Sequence, residues 1–536
     1  MALVLSLGTG GFFFVSHVVK LSRPNIILVV IDTLRADYLS CYGNEKVKTA
    51  NIDRLAQEGV LFENCITPIP ITLPAHFSIF YSVMPHEYEV YNNGDVISTG
   101  CPPLAELLRK EGYRTAAIVS LGGLHRRFGI NTGFDYYNDR FDGARGLWYR
   151  RAEEITSAAL KWMEENRKER FFLWLHYSDP HEPYAPPQMG DDFQVYLNGN
   201  LQQEVALDTR ETFQISLRLK PGRNTVKFVI LPAEDGWRGL TTEGDFPVAL
   251  KFIRIFPEEG IELKYTDTIL PSTRLHGSLS LRNPAYLELI NKLTQEVECT
   301  LSFYGKIYWT AESAARLYAE EVEYADKSLG RLFHYLKEQQ MDKNLILLLT
   351  ADHGEGLGEH NLIGHTNQLY DSLLKVPLII KAPNIKEKNK RIGEQVGLMD
   401  ISPTVLSLLG LSQPEWMEGN SLLPLLRGTN PFPRETPYYS ATFTPQASAT
   451  KFAVRSNRWK LIYTPRSNLW ELYDLMEDEK ELRNTFSKEN ISTETQPLYE
   501  GLNNRFKEIM NLEIYGLKKG LDPKTLEMLK SLGYIQ

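Results

Sequence analysis

A chain of 536 residues exceeds one ordinary domain, so two or three units are expected. Its 43% hydrophobic and 24% charged residues are globular proportions, and a formal net charge of −8 argues against nucleic acid as the main partner, because binding a phosphate backbone needs a basic surface. Walker-type and dinucleotide glycine spacings are absent. Cys41, Cys65, Cys101 and Cys299 form no Cys-x-x-Cys pair, which disfavours a zinc finger and leaves buried thiols or a single disulfide.

Residues 1–22 are an apolar segment, followed closely by Arg23. The segment is short for a bilayer span and has no positive region ahead of its apolar core, so it reads as a signal peptide or membrane anchor, with a periplasmic, extracellular or membrane-anchored location. Asn25 to Ile31 is an unbroken apolar run of the kind buried on both faces of a parallel sheet, and it stops at Asp32-Thr33. Helical spacing over Asn51 to Glu58 places Ile52, Leu55 and Ala56 on one face, with Gly59 as the stop. Pro68, Pro70 and Pro74 forbid a regular element until about Ala75, so a helix is predicted over Pro74 to Tyr81 with Thr72 on the loop before it. A hydroxyl there either caps the helix or meets an anionic group at its positive end.

Pro102 to Glu111 reads as a helix, Arg114 to Ser120 as a strand, and Ile155 to Glu165 as a helix. Phe171 to Tyr177 is a third buried strand, ending in Ser178-Asp179-Pro180-His181-Glu182. Strands alternating with helices predict a doubly wound α/β sheet. The pattern changes from about 191 to 270, where short alternating segments and the turns Asn198-Gly199 and Pro221-Gly222 indicate an inserted β-sandwich-like unit. A bridging stretch with a helix near Pro284 to Leu293 follows, so 191–305 is taken as the insert.

Helix resumes over Ala311 to Gln339 and leads into Leu345 to Leu349, another wholly apolar strand, which ends in Asp352-His353-Gly354-Glu355; His360 and His365 follow in a Gly-rich loop. Ligands bind outside the carboxyl ends of strands in open α/β sheets. Two apolar strands from opposite halves of the chain, each tipped by Asp, can share one divalent metal if they lie side by side, and imidazole is a suitable further ligand. Val376 to Ile380 is a strand, and Asp400 starts a helix to Leu409. The last hundred residues hold a small antiparallel sheet and a terminal helix over Leu498 to Asn511. The main domain is therefore split between 23–190 and 306–430, with a C-terminal subdomain over 431–536.

The stretches RPNIILVVIDTLRADYLSCYGN, VKTANIDRLAQEGVLFENC, SDPHEPYAPP, LLLTADHGEGLGEH and LMDISPTVLSLLG, in that order, resemble the sulfatase branch of the alkaline phosphatase superfamily. The resemblance implies an α/β/α sandwich around a mixed, mostly parallel sheet, an ester hydrolase, and one divalent metal (Ca, Mn, Zn or Mg) at the strand ends. It places Asp32, Thr72, Asp352 and His353 at metal-ligand positions and Thr33 where many members have a second Asp. It puts Thr72 at the nucleophile position, His181 and His365 at positions that contact the substrate or move protons, and Asn93 at a substrate-binding position. The family's Cys-x-Pro-x-Arg motif reads Thr72-Leu73-Pro74-Ala75-His76 here, so no formylglycine is expected, and Cys65 cannot stand in because no Pro follows two residues on. The Gly-Lys-Trp-His motif is replaced by Val119 to Leu124, and His365 occupies the usual Lys position.

These departures lean from sulfate towards phosphate or phosphonate esters. Asp179, His181 and His365 are a thin candidate for a second metal. The expected partner is an anionic ester on a glycan or lipid, with membrane association through the N-terminus. A membrane-associated phospho-alcohol transferase and a non-catalytic glycan-binding or partner-binding protein are the alternatives.

Overall fold

The structure, a computed structural model, describes residues 23–141, 149–182, 184, 193–205, 212–230, 248–265, 269–271, 279–281, 285–307, 311–365, 368–429, 437–443, 450–487 and 491–511. The apolar segment 1–22, read above as a signal or anchor, lies outside the described residues. No helix among those described is long and apolar enough to cross a membrane.

The first half of the chain contributes β1 (Asn25–Ile31), α1 (Ala50–Glu58), β2 (Val60–Ile66), α2 (Thr72–Tyr81), α3 (Leu104–Lys110), β3 (Arg114–Ile118), β4 (Tyr136–Asn138), α4 (Ala152–Asn166) and β5 (Phe171–Tyr177). An all-β stretch follows: β6 (Phe193–Leu197), β7 (Asn200–Val205), β8 (Thr212–Leu219), β9 (Gly222–Ile230), β10 (Val248–Phe256), β11 (Ile261–Tyr265), β12 (Ile269–Pro271), β13 (Leu279–Leu281), β14 (Ala285–Asn291) and β15 (Val297–Ile307). Then come α5 (Ala311–Glu338), β16 (Leu345–Thr350), the short pair β17 (Gly356–Leu357) and β18 (Ile363–Gly364), α6 (Asp371–Leu374), β19 (Lys375–Lys381), β20 (Lys390–Gly397) and α7 (Ile401–Leu408). The chain closes with α8 (Leu423–Arg427), the strands β21 (Tyr438–Thr442), β22 (Lys451–Arg455), β23 (Trp459–Thr464) and β24 (Leu469–Asp474), and α9 (Gln496–Asn511).

One eight-stranded sheet, ordered β20-β2-β19-β16-β1-β5-β3-β4, organises the fold. It is parallel except where β19 runs against both β16 and β2. The side chains of Ile26 to Ile31 in β1, of all of β5 and of all of β16 are buried, as continuous apolar runs on a sheet covered on both faces require. Register then decides where the polar ends fall. Val30 pairs with Thr350 on one side and His176 on the other, so the carboxyl ends of three neighbouring strands finish level. α1, α4 and α5 pack together on the sheet, with Leu317, Val322, Ala325, Leu329 and Leu332 as the buried stripe of α5.

The strands between 193 and 307 form two five-stranded antiparallel sheets, ordered β12-β13-β10-β15-β8 and β11-β14-β9-β6-β7. The helix expected near Pro284 to Leu293 is instead strand β14, paired antiparallel to β9 and β11. Leu287 and Leu289 are buried while Tyr286, Glu288 and Ile290 are half-buried, a two-residue alternation that outweighs the helix-forming composition of Leu, Glu and Ile. Helix α2 starts at Thr72, two residues before the expected Pro74, because a proline is tolerated in the first turn, where the N–H that it lacks would have no intrahelical partner. The four-stranded sheet β21-β22-β23-β24 packs against α9 through Phe452, Tyr463 and Phe506. All four cysteines are free thiols.

Candidate active site

The ends of β1, β5 and β16 and the first turn of α2 converge on one buried polar cluster. Asp32 follows β1, His176 is the penultimate residue of β5, Asp352 and His353 follow β16, and Thr72 and His76 lie one turn apart on α2. All six are fully buried.

Backbone groups aim Asp352 and His353. Asp352 Oδ1 accepts the N–H of Thr33 at 3.2 Å and of His353 at 2.8 Å, which leaves Oδ2 facing the cluster without a partner. His353 Nδ1 donates to Gly354 O at 3.0 Å, so the neutral ring carries its lone pair on Nε2. That atom stands 3.6 Å from Asp32 Oδ1, 3.5 Å from Asp352 Oδ2 and 3.5 Å from Thr72 Oγ1. These separations are long for hydrogen bonds, yet they suit donors that share an ion about 2.1 Å from each, whose tetrahedral edge is about 3.4 Å. Both carboxylate oxygens of Asp32 are buried without a partner. Among the described residues, ligand atoms of Asp32, Asp352 and His353 lie within 4.8 Å of one another. Orphaned carboxylate oxygens around an oriented imidazole fit a divalent cation.

Electrostatics agree with that fit. Burial, then the charges of Asp352 and Glu355, push the Asp32 carboxyl well above its usual range in the metal-free chain. Burial brings His353 down to about 4, which keeps the ring neutral and ligand-competent. Gly354 permits the turn after His353: a Cβ there would meet Ser372 O at 2.0 Å, and Gly354 N–H and Glu355 N–H donate to Leu373 O and Ser372 O. Thr33 holds φ at 59°, a costly conformation for a β-branched residue, with its carbonyl accepting from Tyr318 at 2.7 Å.

Thr72 does not act as a side-chain cap of α2; its hydroxyl faces His353. Asn93 Oδ1 instead accepts the Leu73 N–H at 2.8 Å, so Asn93 holds the helix start from outside. His181 and His365 stand together near the cluster, their ring centroids 4.7 Å apart, and His365 lies 4.6 Å from the ring of His353. His181 Nδ1 donates to Glu182 O at 2.5 Å, and His365 Nδ1 pairs with Glu355 Oε1 at 3.1 Å. Burial lowers the pKa of His365, but the Glu355 carboxylate and its hydrogen bond overcome this and hold it above the usual imidazole value. Burial and the neighbouring His365 hold His181 well below that value.

Asp179, grouped above with His181 and His365 as a thin second-metal candidate, has its carboxylate engaged elsewhere. It accepts from Arg151 Nη1 at 3.2 Å and from Ala152 N–H at 2.7 Å. His360 lies outside the cluster, stacked on Tyr370 at 3.6 Å with Nε2 donating to Lys480 O. Sequence reasoning passed over His176 and Glu355. The signal for His176 was a lone imidazole inside the otherwise apolar run FFLWLHY.

The sequence model of the sulfatase family matches residues 24–411, and that of the N-sulphoglucosamine sulphohydrolase C-terminal region matches 358–510. An N-acetylglucosamine-6-O-sulfatase of Bacteroides thetaiotaomicron is 25% identical over 507 residues, covering 89% of this chain and 85% of the relative. A solved structure holding D-glucosamine-2-N,6-O-disulfate as substrate superposes with a TM-score of 0.64 at 19% identity, over 92% of this chain and all of that one. A phosphonate monoester hydrolase of Agrobacterium radiobacter superposes with a TM-score of 0.60 at 17% identity, over 91% of this chain and 96% of that one.

Proposed function

The chain belongs to the sulfatase family and is an ester hydrolase of that family; on that premise we propose that it cleaves a sulfate-, phosphate- or phosphonate-type ester borne on a glycan, with Thr72 Oγ1 as the nucleophile. The observation that carries this reading is the approach of Thr72 Oγ1 to His353 Nε2 between two buried carboxylates. Asp32, Asp352 and His353 would hold a divalent cation. When bound, such an ion polarises the ester oxygens and favours the alkoxide of a neighbouring hydroxyl.

The residues divide the remaining work. Thr72 Oγ1, its proton having passed to bulk water as the alkoxide forms, makes a bond to the central sulfur or phosphorus atom as the bond to the ester oxygen breaks. His365, steadied by Glu355, gives a proton to that departing oxygen. His181, whose Nδ1–H is held by Glu182 O, leaves Nε2 to accept a proton from the water that resolves the covalent intermediate. Asn93 positions the nucleophile through the Leu73 N–H. Threonine has one hydroxyl and no aldehyde, so release requires in-line attack by water at the central atom. A glycan carrier is supported by the N-acetylglucosamine-6-O-sulfatase among the relatives.

A panel of aryl sulfate, phosphate monoester, phosphodiester, phosphonate and sulfated or phosphorylated glucosamine substrates, run with metal add-back, tests the reading. Metal-dependent release of inorganic sulfate or phosphate without an acceptor alcohol is expected. No turnover on any of these, or turnover only with an acceptor, would reject hydrolysis.

A further inference from the structure

A single cation at Asp32, Asp352 and His353 leaves part of the cluster unexplained. Asp32 presents Oδ1 to His353 Nε2, but its other oxygen, Oδ2, faces His176 Nε2 at 3.6 Å. Asp352 Oδ2 lies 3.5 Å from His353 Nε2 and 3.7 Å from His76 Nδ1. Asp32 Oδ2, His176 Nε2 and His76 Nε2 are all buried without a hydrogen-bond partner. Leaving three such atoms unpaired in one place is costly.

We propose that His76 and His176, with Asp352 and the second oxygen of Asp32, form a second divalent-metal site that shares the two carboxylates with the first. Ligand atoms of His76, His176 and Asp352 lie within 4.8 Å of one another, and all three side chains are fully buried. The rings are held by partners of the kind metal-ligating histidines use. His176 Nδ1 is fixed by Ser120 Oγ at 2.8 Å, which turns Nε2 towards Asp32. His76 Nδ1 lies 2.7 Å from Thr72 O; a carbonyl only accepts, so Nδ1 carries the proton and the lone pair sits on Nε2.

The local folding supports a built site. His76 is one helical turn after Thr72, so both project from the same face of α2. His176 interrupts an apolar strand, and its register partner is Val30, two residues before Asp32. Two imidazoles with carboxylate oxygens select a borderline cation such as Zn²⁺, Co²⁺, Mn²⁺ or Fe²⁺ over Ca²⁺, which prefers an all-oxygen shell. Carboxylates bridging the two positions give a pair of ions roughly 3.5–4 Å apart, the spacing of two-metal hydrolytic sites.

This inference rests on the first site, and the experiment separates the two. The full chain is stripped of metal, reloaded with Zn²⁺, desalted and analysed for bound metal, beside folded His176→Gln, His76→Gln and His353→Gln variants. Two equivalents in the wild type and one in each variant are expected. One equivalent in the wild type that His353→Gln loses and His176→Gln keeps would overturn the second site and leave the first, with water filling the gap. No bound metal in the wild type would overturn both. Two equivalents that survive in both His176→Gln and His76→Gln would also overturn it. Should the variants fail to fold, titration of the wild type with Co²⁺ decides: two successive absorption changes support the pair of sites, and one overturns it.

Discussion

Asn93 Oδ1 accepts the backbone N–H of Leu73 at 2.8 Å and so fixes the start of the helix that carries Thr72. The Asn92-Asn93-Gly94 turn thereby sets Thr72, the proposed nucleophile, from a separate segment. Asn93→Ala leaves that N–H buried and unpaired, at a cost of about 1–3 kcal/mol, and lowers kcat more than it raises KM. Denaturant unfolding and steady-state kinetics check both; Asn93→Asp, which keeps the acceptor, should recover the stability.

Glu355 acts through His365. Its carboxylate favours the charged imidazolium, so Glu355→Gln lowers the His365 pKa. If His365 is the proton donor to the leaving group, the alkaline limb of the pH–rate profile moves to lower pH. Turnover near neutrality should fall about 10–100-fold, as for other lost orienting partners. An unmoved alkaline limb would remove His365 from that role.

Loading the site with metal should release protons. Burial, Asp352 and Glu355 hold Asp32 well above the usual carboxylate range in the metal-free chain, and a bound cation needs it ionised. Calorimetric titration with Zn²⁺ in buffers of different ionisation enthalpy should show net proton release. Asp352→Asn should abolish both the release and tight binding. Chelation of the wild type should lower the unfolding temperature and abolish turnover.

Asp400 makes the fold pH-sensitive at the join with the C-terminal sheet. Its carboxylate accepts from Gly397 N–H, Asn420 N–H and Tyr438 OH, yet burial pushes its pKa up to about 6. A carboxyl raised in the folded state contributes stability that is complete below its unfolded value and is lost as pH rises through the folded one. Between pH 4 and 7 this group should withdraw about 2 kcal/mol. Unfolding free energies across that range should fall less steeply in Asp400→Asn than in the wild type.

Much of this arrangement was legible in the chain because a parallel sheet buried on both faces writes its strands as unbroken apolar runs. The runs ending at Ile31, Leu349 and Tyr177 could be read that way, and their termini marked the rim that carries Asp32, Asp352 and His353. Other features depend on tertiary context. The stretch around Leu287 and Leu289 has a helix-forming composition, and only pairing with β9 and β11 makes it a strand. Strand β21 is short and was not anticipated. His176 resembled an ordinary core histidine, since nothing local reveals that Val30 and Asp32 lie beside it. Asn93 could be placed near the site by resemblance, but its bond to Leu73 N–H follows from a turn whose path the sequence does not specify.

The most direct test of Thr72 as nucleophile is intact-protein and peptide mass spectrometry after rapid acid quench during turnover of the best substrate from the panel. A single sulfo, phospho or phosphono group on the peptide containing Thr72, absent from a folded, metal-loaded and inactive Thr72→Ala variant, is the predicted result. Modification of a different residue, or wild-type turnover by Thr72→Ala, would contradict it.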